Sequence, residues 1–369
     1  MGQRTSRLVW ILTGAILTLA IFEGLLRLLP VSIALRRTEQ IARWPLQNAE
    51  ARLPYTYSIS WAMLNAHRGV TNNYGHVAPF DFKKDSHPVI VIGDSYVESL
   101  MNEYSDTLQG RLAGMLGTAE SVYGLGVSGL SASDYVALSN LAKEEFSPAA
   151  AVFVITDGDL SESLIRQQGN FYLKPDGGTL KLEFEPRRRD LFLTKLRDMI
   201  GDISLHRYLQ VNLQFSFEKV FASIGEKNDA SSSVESPAMS VAAQRQVADW
   251  FLTALPSNLA LPPECIVLLL DSDRYAIYDQ KLASPRKDNS ASREYFIRRA
   301  RELGFKVSDL DPIFRRQYAQ DRIKFDHWPI DRHWSKIGHG IAASEAYRLL
   351  SQSNSQERAA CLAGKPVLN

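Results

Sequence analysis

The sequence predicts an α/β fold: a three-layer α/β/α body around a parallel sheet, preceded by one N-terminal transmembrane helix. Three observations predict it. Short, wholly apolar runs such as "VIVIG" (89–93) and "CIVLLL" (265–270) alternate with longer stretches of helical periodicity. Apolar strands of this kind are buried on both faces, as parallel strands are, and their alternation with helices makes βαβ units. The stretch "LVWILTGAILTLAIFEGLLRLLP" (8–30) is apolar apart from Glu23 and Arg27, and a helix needs about 20 such residues to cross a bilayer. Finally, 45% of the 369 residues are apolar and 22% charged, which suits a globular body with a sizeable core.

Taken in order, residues 1–30 form the anchor. Its competing readings are a cleaved signal peptide, whose apolar region spans only about 7–15 residues, and a buried soluble helix. A small-residue pattern ending at Ala34 keeps cleavage open, but the length favours a retained span. Glu23 and Arg27 share a helix face and can pair. Arg4 and Arg7 before the span and Arg36 and Arg37 after it hardly separate the two orientations. Residues 31–88 read as a linker and N-terminal extension with little periodicity. The body, 89–352, starts with strand 89–93 and a helix over 99–116. Strand 121–127, a helix over 131–146 and strand 149–156 follow. "FYLKPDGGTLKLEFE" (171–185) reads as a hairpin around Asp-Gly-Gly. It opens an insertion at about 165–260, which includes a helical stretch over 187–222 and a Ser-rich loop over 225–238. The sheet pattern resumes with helix 240–254, strand 265–270, helix 291–303, strand 305–310 and helix 336–351. The tail, 353–369, reads as disordered.

Charge and cysteine content exclude some functions. With 42 basic and 41 acidic residues, the chain lacks the basic excess of a nucleic-acid binder. Its two cysteines, Cys265 and Cys361, cannot build a disulfide framework or a Cys-based metal site. They read as two unpaired thiols, with Cys265 buried. No metal ion and no cofactor is implied.

Chemistry concentrates at two places. Ser95 follows a strand end and precedes a helix. In an open parallel sheet, ligands bind beyond the carboxyl ends of the strands. A serine there is either a nucleophile supported by the helix N-terminus or a simple helix cap. Far along the chain, "WPIDRHWSKIGHG" (328–340) places Asp331 and His333 before the last helix. A hydroxyl nucleophile needs a base, and the base an orienting acceptor. Asp331 can hold Nδ1–H of His333 while Nε2 faces outward. His339 and Gly340 fall in or near that helix, where packing or surface roles suit them. Trp328 and Trp334 can stack on sugar rings or fill the core.

"GDS" (93–95), "GVSG" (126–129) and the Asp–His pair before the last helix together resemble the SGNH/GDSL hydrolase superfamily. "DRHWS" resembles the Asp-x-His-Trp block of membrane-anchored polysaccharide O-acetyltransferases of the alginate O-acetylation type. The resemblance covers about 89–350. It implies Ser95 as nucleophile, His333 as base and Asp331 as its orienter, with the N–H groups of Ser95 and Gly129 in an oxyanion hole. Gly126 suits the strand-to-loop turn. One block departs: "TDGDL" (156–160) carries Gly158 where the superfamily has an oxyanion-binding Asn. Either Thr156 or a residue of the insertion supplies that donor, or the activity is slow or absent. Asp157 and Trp334 are the substrate-binding candidates. The resemblance further implies acyl transfer to an envelope polysaccharide or other glycan, with the acyl donor supplied by a membrane-bound acyltransferase partner. The body would lie on the periplasmic side of the inner membrane. A carbohydrate esterase with the same triad, and a degenerate scaffold or glycan-binding subunit, are the alternatives.

Overall fold

The structure, a computed structural model, describes residues 2–33, 35, 51–118, 120–186, 200–215, 240–279, 281 and 290–352. The Ser-rich loop, most of the helical stretch expected over 187–222 and the tail from 353 lie outside the described residues. The chain divides into two compact units.

The first unit holds the long helix Gly2–Leu28, the two-stranded sheet of β1 (Pro54–Ile59) and β2 (Leu64–Val70), and a short helical segment over 204–212. Among the described residues, one apolar helix, Val9–Leu28, is long enough to cross a membrane or to serve as a signal sequence. Asn212 knits the unit. Its Oδ1 accepts from the Ser32 amide at 3.1 Å, and its Nδ2 donates to Ser58 Oγ at 2.8 Å.

The second unit is the predicted α/β body. Its sheet consists of β3 (Val89–Gly93), β4 (Val122–Gly126), β5 (Ala150–Ile155), β8 (Ile266–Leu270) and β9 (Lys306–Asp309), all parallel, in the order β4-β3-β5-β8-β9. Side chains alternate between two buried layers. Ile90, Ile92, Leu125, Phe153, Leu268 and Leu270 face one layer, with helices Ala132–Phe146, Val241–Leu259 and Ser290–Glu302. Val89, Val91, Val152, Val154 and Leu269 face the other, with helices Leu108–Leu116, Asp311–Asp321 and Lys336–Ser351. This is a three-layer α/β/α fold whose strand order reverses at β3, between β4 and β5, where such folds form their binding crevice.

Several expectations change. The segment 31–88 is more than a linker: it contains β1 and β2, and Phe82 stacks on Tyr123 with ring centroids 4.0 Å apart. The helix expected from 99 starts at 108, capped by the Thr107 side chain on the Gly110 amide. The insertion is shorter than 165–260, because helix Val241–Leu259 is the crossover that leads into β8 and buries Val247, Phe251 and Leu255. The hairpin stands as β6 (Phe171–Asp176) and β7 (Thr179–Phe184). Cys265, buried just before β8, is disulfide-bonded and not an unpaired thiol. Spacing in sequence says nothing about whether two Cα atoms come within bridging distance.

Candidate active site

Ser95 is the first residue of a one-turn helix, Ser95–Glu98, at the carboxyl end of β3. The capping role belongs to its neighbour. The Asp94 carboxylate accepts from the Tyr96 amide at 2.9 Å, which frees the Ser95 hydroxyl. Two glycines let this turn sit tightly on the sheet. A Cβ on Gly93 would meet Val97 Cγ2 at 2.6 Å, and one on Gly126 would meet the Glu98 backbone nitrogen at 2.0 Å. Gly126 therefore serves close backbone approach at the end of β4.

Asp331 and His333 lie on a short strand, β11 (Asp331–Trp334), paired antiparallel with β10 (Asp326–His327). The strand places the Asp–His pair against Ser95. His333 Nε2 is 2.7 Å from Ser95 Oγ, and His333 Nδ1 is 2.5 Å from Asp331 Oδ1. The same carboxylate oxygen accepts from the His333 amide at 2.9 Å. A carboxylate only accepts, so Nδ1 carries the proton and Nε2 is left to accept from the serine. Burial acts against a charged His333. The hydrogen bond and charge of Asp331, with the charge of Asp94, outweigh it and hold the imidazole above its ordinary pKa. Burial pushes Asp94 up to about 6, with the charges of Asp271 and Glu162 adding to the effect.

Gly129 follows β4 in a left-handed conformation, φ 76°, and is exposed. Its carbonyl accepts from Asn170 Nδ2 at 2.8 Å. Buried Asp134 steadies that corner by accepting from the amides of Ser131 and Phe171 at 3.0 and 2.7 Å. On the other side of the loop, the Ser128 hydroxyl donates to the buried Glu98 carboxylate. Among the described residues, no hydrogen bond uses the N–H of Ser95 or Gly129, so both remain able to donate to an oxyanion.

Two other candidates are placed differently. The Thr156 amide and hydroxyl both donate to Asp159, at 2.8 and 2.7 Å. Thr156 therefore has no donor to spare for the oxyanion hole, and Asn170 is occupied in supporting the Gly129 loop. Trp334 is fully buried and donates through Nε1 to Asp271 at 2.9 Å. It fills the core and cannot stack on a substrate. Asp157 is exposed beside Arg293, 3.1 Å away. It lines a cleft of about 470 Å³ with Tyr96, Arg274, Arg293 and Arg332. Trp328 is half-buried, with Lys324 Nζ 3.6 Å from its ring centroid.

Sequence reasoning missed Arg274. Its guanidinium is buried and pairs with Asp271 and Asp326. Nη2 donates to the Tyr96 hydroxyl at 2.8 Å and to the Arg332 carbonyl at 2.6 Å, and the Tyr96 hydroxyl also reaches that carbonyl, at 3.1 Å. Arg274 thus ties the turn after Ser95 to the backbone between Asp331 and His333. The signal was "DSDRY" (271–275), charged residues directly after an apolar strand, where parallel sheets place their sites.

No protein-family model matches this chain, and no curated protein matches it. Among solved structures, it is similar to a protein from Desulfitobacterium hafniense DCB-2 assigned to the G-D-S-L family of lipolytic proteins. Identity is 12%, the match covers 72% of this chain and 99% of the other, and the TM-score is 0.38. A second solved structure matches at 10% identity over 72% of this chain and 98% of its own, also with a TM-score of 0.38.

Proposed function

We propose that this protein is a serine-dependent acyl-transfer enzyme that works through an acyl-Ser95 intermediate. One observation carries the reading: the unbroken hydrogen-bonded chain from Ser95 through His333 to Asp331, at the strand-order switch of a parallel sheet. His333 Nε2 takes the hydroxyl proton as Ser95 Oγ attacks an ester carbonyl. Asp331 holds the ring and stabilises the imidazolium. The N–H groups of Ser95 and Gly129 receive the oxyanion. His333 then returns the proton to the departing alcohol, and in the second half removes one from the acceptor hydroxyl. The site has two backbone donors and no third from Thr156, which makes for slow turnover, since one oxyanion donor is worth about 10²–10³ in rate.

The acceptor class we favour is a glycan hydroxyl, so that the protein acts as a polysaccharide O-acetyltransferase on the periplasmic side of the inner membrane. A membrane-bound partner would supply the acetyl group. The Asp-Arg-His-Trp block, the apolar helix Val9–Leu28 and the cleft lined by Tyr96, Asp157 and Arg332 support this. With water as acceptor, the same residues make a carbohydrate esterase.

The test is direct. Incubation with p-nitrophenyl acetate should leave one acetyl group on the peptide that holds Ser95, read by mass spectrometry. Adding an unacetylated oligosaccharide should discharge it faster than water does. Folded protein that takes up neither acetyl nor a fluorophosphonate probe at Ser95 would establish the scaffold role instead.

A further inference from the structure

Glu23 is an acidic residue inside an apolar helix, and its contacts say why it is there. Helix Val9–Leu28 has 20 residues, which at 1.5 Å each is about the 30 Å thickness of a hydrocarbon core. Glu23 stands five residues before its end, about 7–8 Å inside the layer once the helix crosses a bilayer. Its Oε1 accepts from Arg27 Nε at 2.7 Å and from the Ser204 amide at 3.0 Å, and its Oε2 accepts from the Leu205 amide at 2.9 Å. Charged and unpaired polar groups are expensive at that depth. Here the carboxylate and two peptide N–H groups satisfy one another. The backbone at 204–205 is thereby fixed to the helix below its end, not beyond it.

The surface around this joint is apolar. Ile200, Ile203, Leu213 and Phe215 are exposed, at 39–40% of their surface each. The hairpin turn presents Trp61, 73% exposed, whose carbonyl accepts from the Tyr208 hydroxyl at 2.8 Å. Asp202 is held by Arg207 at 3.0 Å. Large aliphatic side chains with a tryptophan, continuous with a spanning helix, fit the boundary between acyl chains and headgroups.

We propose that residues 200–215, together with Trp61, form a collar seated in the phospholipid leaflet on the side of the body, so that the protein holds its membrane by more than the helix. This rests on the retained span and is independent of the acyl-transfer reading. The test uses the full-length chain in vesicles of phosphatidylethanolamine and phosphatidylglycerol. Benzoylphenylalanine replaces Ile203, Leu213 or Phe215 singly, with Ile16 in the span as lipid control and exposed Glu144 of the body as water control. Irradiation at positions 203, 213 and 215 should give lipid adducts within about twofold of position 16 and roughly tenfold above position 144. Adducts at 16 but only background at the other three would overturn the collar and leave the span standing. Background at position 16 would overturn both.

Discussion

Ser95 and Ser99 stand four residues apart, and each has a histidine within hydrogen-bond reach. Ser95 Oγ is 2.7 Å from His333 Nε2, and Ser99 Oγ is 3.0 Å from His339 Nε2. The two pairs differ in what holds the other ring nitrogen. Asp331 accepts from His333 Nδ1, whereas His339 Nδ1 itself accepts from the Leu108 amide at 3.0 Å. In the second pair Nε2 must therefore carry the proton and donate to Ser99, whose oxygen also accepts from Asn102 Nδ2 at 2.9 Å. That tautomer cannot take a proton from serine. The environments diverge as well. His339 is fully buried, and burial, with the charges of His327 and His333, lowers it to about 3. His333 is half-buried and raised. Proximity of serine to histidine does not make a nucleophile; the partner of the second nitrogen and the nearby charge do.

The largest expected effect separates the pairs outright. Ser95→Ala and His333→Ala should each lower ester turnover by about 10⁴-fold or more. Ser99→Ala should stay within about threefold, because the two buried hydrogen bonds it removes, from His339 and Asn102, both lie outside the reacting chain. Steady-state kinetics on p-nitrophenyl acetate, with circular dichroism to confirm folding, would read both. Equal losses in Ser95→Ala and Ser99→Ala would erase the distinction.

Next in size is a substitution that turns the first pair into a copy of the second. In Asp331→Asn, a side-chain amide can donate to His333 Nδ1, which forces Nε2 to hold the proton. Turnover should fall by about 10³-fold while the fold persists. Unchanged kcat in Asp331→Asn would mean that Asp331 does not set the tautomer.

The second pair should announce itself in stability. His339 has a folded-state pKa of about 3 against 6.5 when free, so the stability from keeping it neutral is present above 6.5 and is lost as pH falls toward 3. By pH 4 the loss is about 3 kcal/mol. His333 acts in the opposite sense: its raised pKa adds stability as pH falls below it. Urea unfolding at pH 7 and pH 4 should therefore show a steeper acid loss in the native sequence than in His339→Gln, which keeps an acceptor for Leu108. Parallel losses in the two proteins would remove His339 as an acid-sensitive element.

The sequence carried the sheet and the position of Ser95 at its carboxyl edge for the same reason. Parallel strands are continuous apolar runs, so β3, β4, β5, β8 and β9 stand out, and the residues that follow them mark the crevice. It failed where burial and pairing depend on distant partners. The strand β2 alternates between exposed and half-buried residues and lacks an apolar face to reveal it. Trp334 looked like surface chemistry and Arg274 drew no reading, because nothing local says that Asp271 lies beneath both. Thr156 looked like a replacement oxyanion donor, because nothing in the sequence says that the Asp159 carboxylate, three residues on, takes both of its protons.

The smallest predicted effect tests the charge around the first pair. A general base must be neutral, so kcat/KM should rise with pH through the His333 pKa, at a value above the ordinary 6.5. Asp331 is the main source of that elevation and Asp94 a lesser one, while Arg274 opposes it. Asp94 is itself pushed up to about 6, so it is ionised over most of the range in which His333 titrates. Asp94→Asn keeps an oxygen to cap the Tyr96 amide but removes the charge. The limb of the pH–rate profile should then move to lower pH by less than about one unit, with the plateau little changed. Asp331→Asn should move the limb in the same direction and drop the plateau as well. If Asp94→Asn left the limb in place, the charge beside Ser95 would be screened, and the contrast between the two histidines would rest on Asp331 and burial alone.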